Sequence, residues 1–206
     1  NDAGIVKIKH WGDAIAESVR RSGDQLQKGY DRWAGKAAGF SLWGVVSGNR
    51  PVLEAGWKHF SFGQSVVRND GRHIYASLYS NKASDAIKYL NMAIGMQVLA
   101  AEALESAGFQ GVFAWKQGDQ KGSLHDAVRW LMEFSSSVPG SQLTSHFHFT
   151  LKGPAWAEFY LRRFPGTPTS QLIEQTLRRP DKYGIYTGYF GGWTTCLVHP
   201  LAAAEN

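Results

Sequence analysis

The stretch Asn81–Gly108, NKASDAIKYLNMAIGMQVLAAEALESAG, decides the fold. Ala86, Leu90, Ala93, Met96 or Gln97, Ala100 and Ala103 or Leu104 recur at three- and four-residue steps, the period of one helix face. Ser80 or Asn81 can cap its start, because a short side-chain oxygen accepts from an otherwise orphaned amide N–H. Gly108 can take the left-handed position after the last turn. The pattern predicts a long core helix with boundary chemistry at both ends. Tyr89 falls in its first third, where a side chain can face either the core or a cleft.

Upstream, residues 4–21 predict a helix with Trp11, Ile15 and Val19 on one face, ending at Ser22-Gly23. Asp24 reads as the N-cap of a second helix running to about Ser47. That helix is rich in Ala and Gly, so its neighbours can approach closely. Gly48-Asn49 breaks it. Arg50-Pro51 starts a third helix, since proline is tolerated in a first turn, with Leu53, Trp57 and Phe60 as core candidates to about Val67. Asn69-Asp70-Gly71 reads as a turn. Downstream, Phe109–Gly122 reads as a loop holding Trp115, and Ser123 caps a helix to Phe134. Pro154 opens a short helix that stops before Pro165, and Ser170–Arg178 makes another. The final YGIYTGYFGGWTTCLVHP alternates aromatic and β-branched residues around Gly191-Gly192 and reads as an extended segment. The chain is therefore expected to be all-α apart from that short C-terminal segment, as a helical bundle or an α/α toroid.

With 206 residues, 43% of them hydrophobic and 13% aromatic, the chain can build one real core, and a single domain over 1–206 is expected. The nearest thing to a linker is 135–153. No apolar run is long enough to cross a bilayer, and no signal-peptide pattern is present. Because the chain opens on Asn1, a mature product or a fragment is expected. The single Cys196 excludes an intramolecular disulfide framework and a cysteine-rich metal site.

A net charge of +5 suits a polyanionic partner: nucleic acid, anionic lipid or acidic polysaccharide. The arginine pairs at 20–21, 162–163 and 178–179 are dispersed and fit helix ends, and no nucleic-acid module is recognisable, so nucleic acid is not the expected partner. No phosphate-binding glycine loop, H-E-x-x-H or G-x-S-x-G occurs. His146 and His148 alternate as on a strand, but no third ligand completes a metal site, and neither metal nor cofactor is expected. Asp119, Asp126 and Glu133 offer carboxylates for glycoside hydrolysis, yet Asp126 and Glu133 lie two turns apart on one helix face and suit solvation or ion pairs.

Tyr89 carries a sharper reading. Lys82, seven residues before it, falls two turns back on the same helix face. A lysine there can hold a substrate carboxylate while the tyrosine takes the proton beside it, the arrangement that proton abstraction next to a uronate carboxylate requires. A packed tyrosine beside an exposed lysine is the plainer alternative.

The order of these features resembles the alginate-lyase-type polysaccharide lyases. A small-residue helix ends in Gly48-Asn49, EAGWKHF follows, and then Asp70-Gly71. DAIKYLNMAIGMQVLAAEA is similar to the family's R-A-x-x-Y-H-N-x-A-L…A-E segment. GSLHDAVRWLMEF resembles its helix after the aromatic loop, and WAEFYLRRFP with YFGGWTTCLV resembles its closing W-x-E-x-Y…R-x-P and L-G-G-x-x-T-L-L elements. The match covers roughly residues 24–198.

The resemblance implies an α/α toroid and β-elimination of a β-1,4-linked uronate polysaccharide such as alginate, in the periplasm or outside the cell. Tyr89 takes the position of the family's catalytic tyrosine, Lys82 replaces the arginine two turns before it, and Asn91 matches the asparagine just after it. Where the family carries Asn-Asn-His-x-x-Trp, this chain reads Tyr30-Asp31-Arg32-Trp33, without the amide and imidazole. Arg32 can neutralise a carboxylate instead, and His73, after Asp70-Gly71, can enter the cleft from its loop. The expected catalytic set is thus Tyr89, Lys82, Arg32 and His73, with Asp31, Trp33, Asn91 and Trp115 as substrate-binding residues. The family's domains extend further on the N-terminal side. The resemblance therefore implies an incomplete toroid whose N-terminal helices come from a second chain, were removed by processing, or do not exist. The departures leave room for a non-catalytic protein that binds acidic polysaccharide on a degenerate lyase scaffold.

Overall fold

A computed structural model describes residues 2–21, 30–73, 83–137, 156–177, 186–187 and 192–193 of the chain. The described elements are α1 (Asp2–Arg21), α2 (Tyr30–Ser47), α3 (Arg50–Ser65), α4 (Ala83–Ser106), α5 (Leu124–Ser137), α6 (Trp156–Arg163) and α7 (Pro168–Leu177). They are followed by β1 (Tyr186–Thr187), paired antiparallel with β2 (Gly192–Trp193). The fold is all-α with a short extended C-terminal pair, as the sequence indicates.

Local chemistry sets the boundaries. Asn49 caps α3, its side-chain oxygen accepting from Val52 N–H at 3.3 Å, with Pro51 in the first turn, where a missing N–H costs nothing. Asp70 accepts from Arg72 N–H at 2.9 Å, and Gly71 takes a positive φ of 84°, so the expected turn forms. Ser123 and Asp126 form a reciprocal box at the start of α5: Ser123 Oγ accepts from Asp126 N–H, and Asp126 Oδ2 accepts from Ser123 N–H at 2.9 Å. Thr167 caps α7 through Ser170 N–H, which places the start of that helix two residues before the expected Ser170. At the end of α4, Gly108 has φ 92°, Phe109 N–H bonds to Leu104 O, and Gly108 N–H bonds to Glu105 O, a Schellman closure. The expected caps of α4 at Ser80 or Asn81, and that of α2 at Asp24, lie outside the described residues.

Packing fixes the helix directions. A side chain at Gly44 would run into the Leu53 backbone, and one at Gly56 into Ser41, so α2 and α3 form a close antiparallel hairpin through paired glycines. Ala34 of α2 touches Ala93 of α4, with Val66, just after α3, against both. At the other end of α3, Arg50 and Trp57 lie on the ring of Phe109, beyond the end of α4. Helix α4 is therefore antiparallel to α3 and parallel to α2. Trp156 bonds to Asn91, while Arg163 pairs with Glu102 and Glu105, so α6 also runs parallel to α4.

The long helix α4 is buried on more sides than its periodicity predicts. Ile87, Ile94, Val98 and Ala101 are as buried as Leu90, Ala93, Ala100 and Leu104. The reason is tertiary: α2, α3, α5 and α6 all pack against α4, so it has little face left for water. The first helix differs in the opposite direction. Trp11 is 66% exposed and Ile15 is exposed too, because α1 meets α2 closely only where Gly12 admits the Trp43 ring. Asp13 fastens that contact by accepting from Trp43 Nε1 at 2.8 Å.

Candidate active site

The parallel arrangement of α2, α4 and α6 carries their N-terminal halves to one end of the molecule. Tyr89 lies one turn on the N-terminal side of Ala93, and Arg32 lies half a turn on the N-terminal side of Ala34. The Ala34–Ala93 contact therefore puts both on the same side of one packing point. Val66 sits on that point, and the next residue, Val67, pairs in an antiparallel bridge with His73. Three of the four expected catalytic residues, far apart in sequence, thus gather at one end. The positive ends of three helix dipoles point the same way, which favours a negatively charged ligand there. Lys82 lies outside the described residues.

Their exposures divide their roles. Tyr89 is half-buried, placed to reach both packing and solvent, and Arg32 is exposed on the wall of a groove between α1 and α2. His73 is only 1% exposed. Burial holds its imidazole neutral by lowering its pKa to about 3, so it sits beneath the surface of this end rather than in an open loop.

The expected substrate-binding residues are distributed as follows. Trp33 is buried, its ring 4.6 Å from His59 and 4.5 Å from Phe62 between centroids. Asn91 is also buried, its side-chain oxygen accepting from Trp156 Nε1 at 2.7 Å, which locks α6 to α4. Trp115 is half-buried, with its ring edge on Trp57 at 5.3 Å. Asp31 belongs to the first turn of α2, but its side chain lies outside the described residues.

The carboxylates considered for hydrolysis are not gathered. Asp126 caps α5 and bridges to Lys116 at 3.2 Å and Arg129 at 3.5 Å. Burial alone would raise its pKa, but the bonds from Ser123 and the Lys116 charge together outweigh that and lower it. Asp119 and Glu133 are exposed, and Glu133 lies at the edge of the Arg129 ion-pair distance. His146 and His148 lie outside the described residues.

A second polar constellation is not legible in the sequence. Tyr160 of α6 bonds at 2.7 Å to His125 Nδ1, within a cage formed by Phe113 and Phe164. Burial raises the Tyr160 pKa to about 12 and lowers that of His125, so a neutral phenol is hydrogen-bonded to a neutral ring. The two residues stand 35 positions apart, and only the packing of α5 on α6 reveals the pair. Beside it, Arg163 answers Glu102, whose pKa burial raises against the opposing pull of the arginines.

Among the described residues no helix is long and apolar enough to cross a membrane. No protein-family model matches the chain, and no curated protein matches it by sequence. Its structure is similar to that of a histidine-to-alanine variant of alginate lyase A1-III complexed with a tetrasaccharide, with a TM-score of 0.73 and 16% sequence identity. The similarity extends over 97% of this chain and 55% of that one, so the chain spans about half the length of the structure it matches. The α-helical hairpins assembled here from paired glycines, caps and parallel α2, α4 and α6 have the fold of an α/α toroid.

Proposed function

We propose that the chain acts as a polysaccharide lyase on an acidic, uronate-containing polysaccharide. What supports this reading is the likeness of the fold to that of an alginate lyase, with the half-buried Tyr89 near the N-terminal end of its long helix α4. Arg32 and Lys82 neutralise the substrate carboxylate, which makes the adjacent C5 proton removable. The Tyr89 oxygen takes that proton; the electron pair forms the C4–C5 double bond as the C4–O4 bond breaks. The phenol then returns its proton to O4, which leaves as a hydroxyl, so one residue serves as base and acid and the atoms balance without water. The Asn91–Trp156 bond holds α6 against α4, the helix that carries Tyr89.

The test is incubation with polymannuronate, polyguluronate and polyglucuronate while following the ultraviolet absorbance of an unsaturated uronate. The band should appear with at least one polymer, and Tyr89→Phe should reduce its rate at least about 10²-fold. An unchanged rate in that variant would remove Tyr89 from the chemistry. New reducing ends without the band would mean hydrolysis, and binding without product would mean the non-catalytic alternative.

A further inference from the structure

The helix α1 is amphipathic, yet among the described residues its apolar stripe is largely uncovered: Ile5, Ile8, Trp11 and Ile15, at three- and four-residue steps, are all exposed. Beside it runs a groove of about 530 Å³, walled on α1 by Trp11, Ile15 and Val19 and on α2 by Gly35, Gly39 and Phe40. The glycines of these two helices fall into two groups. Those at 12 and 44 face neighbours that would clash with any side chain, whereas Gly35 and Gly39, one turn apart in the groove, have open space where a side chain would sit. The backbone of α2 is therefore laid bare along a helix-length apolar channel, a shape that accepts the ridge of another helix at close approach.

The charges around the channel narrow the occupant. Lys36 lines the groove on α2, Arg32 stands at its end, and exposed Lys7 and Lys9 flank the stripe on α1. A second copy offering its own α1 would set lysines against lysines. An apolar helix with acidic flanks would meet them with opposite charge.

We propose that the α1–α2 groove seats an amphipathic α-helix from outside these 206 residues, its apolar ridge over Gly35 and Gly39 and its flanks acidic. The groove shares Arg32 with the proposed lyase site, whereas Gly35, Gly39, Ile15 and Lys36 take no part in that chemistry.

The test uses the whole 206-residue chain and two designed peptides the length of α1. Both carry leucine at i, i+3, i+4 and i+7; one has glutamate and the other lysine at the flanking positions. Calorimetric titration should show binding of the glutamate peptide. Gly39→Leu, which fills the channel where the structure has space for it, should weaken that binding about tenfold or more, with circular dichroism and the urea midpoint verifying the fold. Ile15→Glu should weaken it as well. Equal binding of the lysine peptide, or undiminished binding by both variants, overturns the proposal. So does a stable dimer of the chain alone that Trp11→Glu dissolves, which would make the occupant a second copy.

Discussion

Acidification should expose the buried His73 as a weak point of the fold. In the unfolded chain its imidazole titrates at about 6.5, whereas in the native state burial lowers its pKa to about 3. Between those values the unfolded state binds a proton that the native state excludes, so stability falls as the pH falls. The contribution of this group is fully present above the unfolded value, begins to be lost near pH 6.5, and stops changing below about 3. One pH unit inside the window is worth about 1.4 kcal/mol, so lowering the pH from 7 to 5 should remove about 2 kcal/mol through this residue alone.

Urea unfolding followed by the fluorescence of the eight tryptophans measures the loss directly. Carboxylates that titrate in the same range contribute to the total, so the informative quantity is the difference between wild type and His73→Gln, which keeps a polar side chain but cannot take the proton. The variant should start less stable at pH 7 and lose about 2 kcal/mol less on going to pH 5. If both proteins lose the same amount, His73 is not held neutral by burial, and the placement of the Val67–His73 bridge beneath the Tyr89 end is wrong.

Four further outcomes follow from the geometry. Asn91→Ala should cost about 1–3 kcal/mol in urea unfolding, because it leaves Trp156 Nε1 buried without its acceptor. Gly56→Ala should destabilise by about 1–3 kcal/mol, since the new methyl meets the Ser41 backbone nitrogen at 2.7 Å. By contrast, Gly39→Ala, with open space around it, should be neutral or stabilise by up to about 1 kcal/mol through helix propensity, and the thermal midpoints of the two variants separate the cases. Ser123→Ala should lose about 1 kcal/mol, together with the 2.8 Å bond from its hydroxyl to Asp126; an unchanged urea midpoint would show that the box at the start of α5 contributes nothing.

Much of the fold was legible because its signals are local. The Gly108 closure, the Asp70-Gly71 turn, the Ser123 cap and the proline in the first turn of α3 each rest on residues a few positions apart, whose conformational preferences hold wherever the helix later packs. Burial was less legible. Periodicity places apolar residues on a face but does not say how many neighbours cover the helix: α4 is enclosed nearly all round, while the equally well-patterned stripe of α1 faces solvent. For the same reason Trp33, expected among substrate-binding residues, packs with His59 and Phe62. Asn91, expected in the same role, accepts a bond from a residue 65 positions away.

By itself, the sequence determined the all-α class, the succession of helices and the candidacy of Tyr89, because spacing along a helix and the chemistry of caps are properties of neighbouring residues. The tertiary structure decided which candidates meet. Paired glycines bring α2 onto α3, and Ala34 meeting Ala93 sets α2 beside α4 in parallel. That direction alone carries Arg32, His73 and Tyr89 to one end and leaves Gly35 and Gly39 facing an open groove. Such meetings depend on small residues that let backbones approach, and a small residue carries the same letter whether it faces a neighbouring helix or empty space.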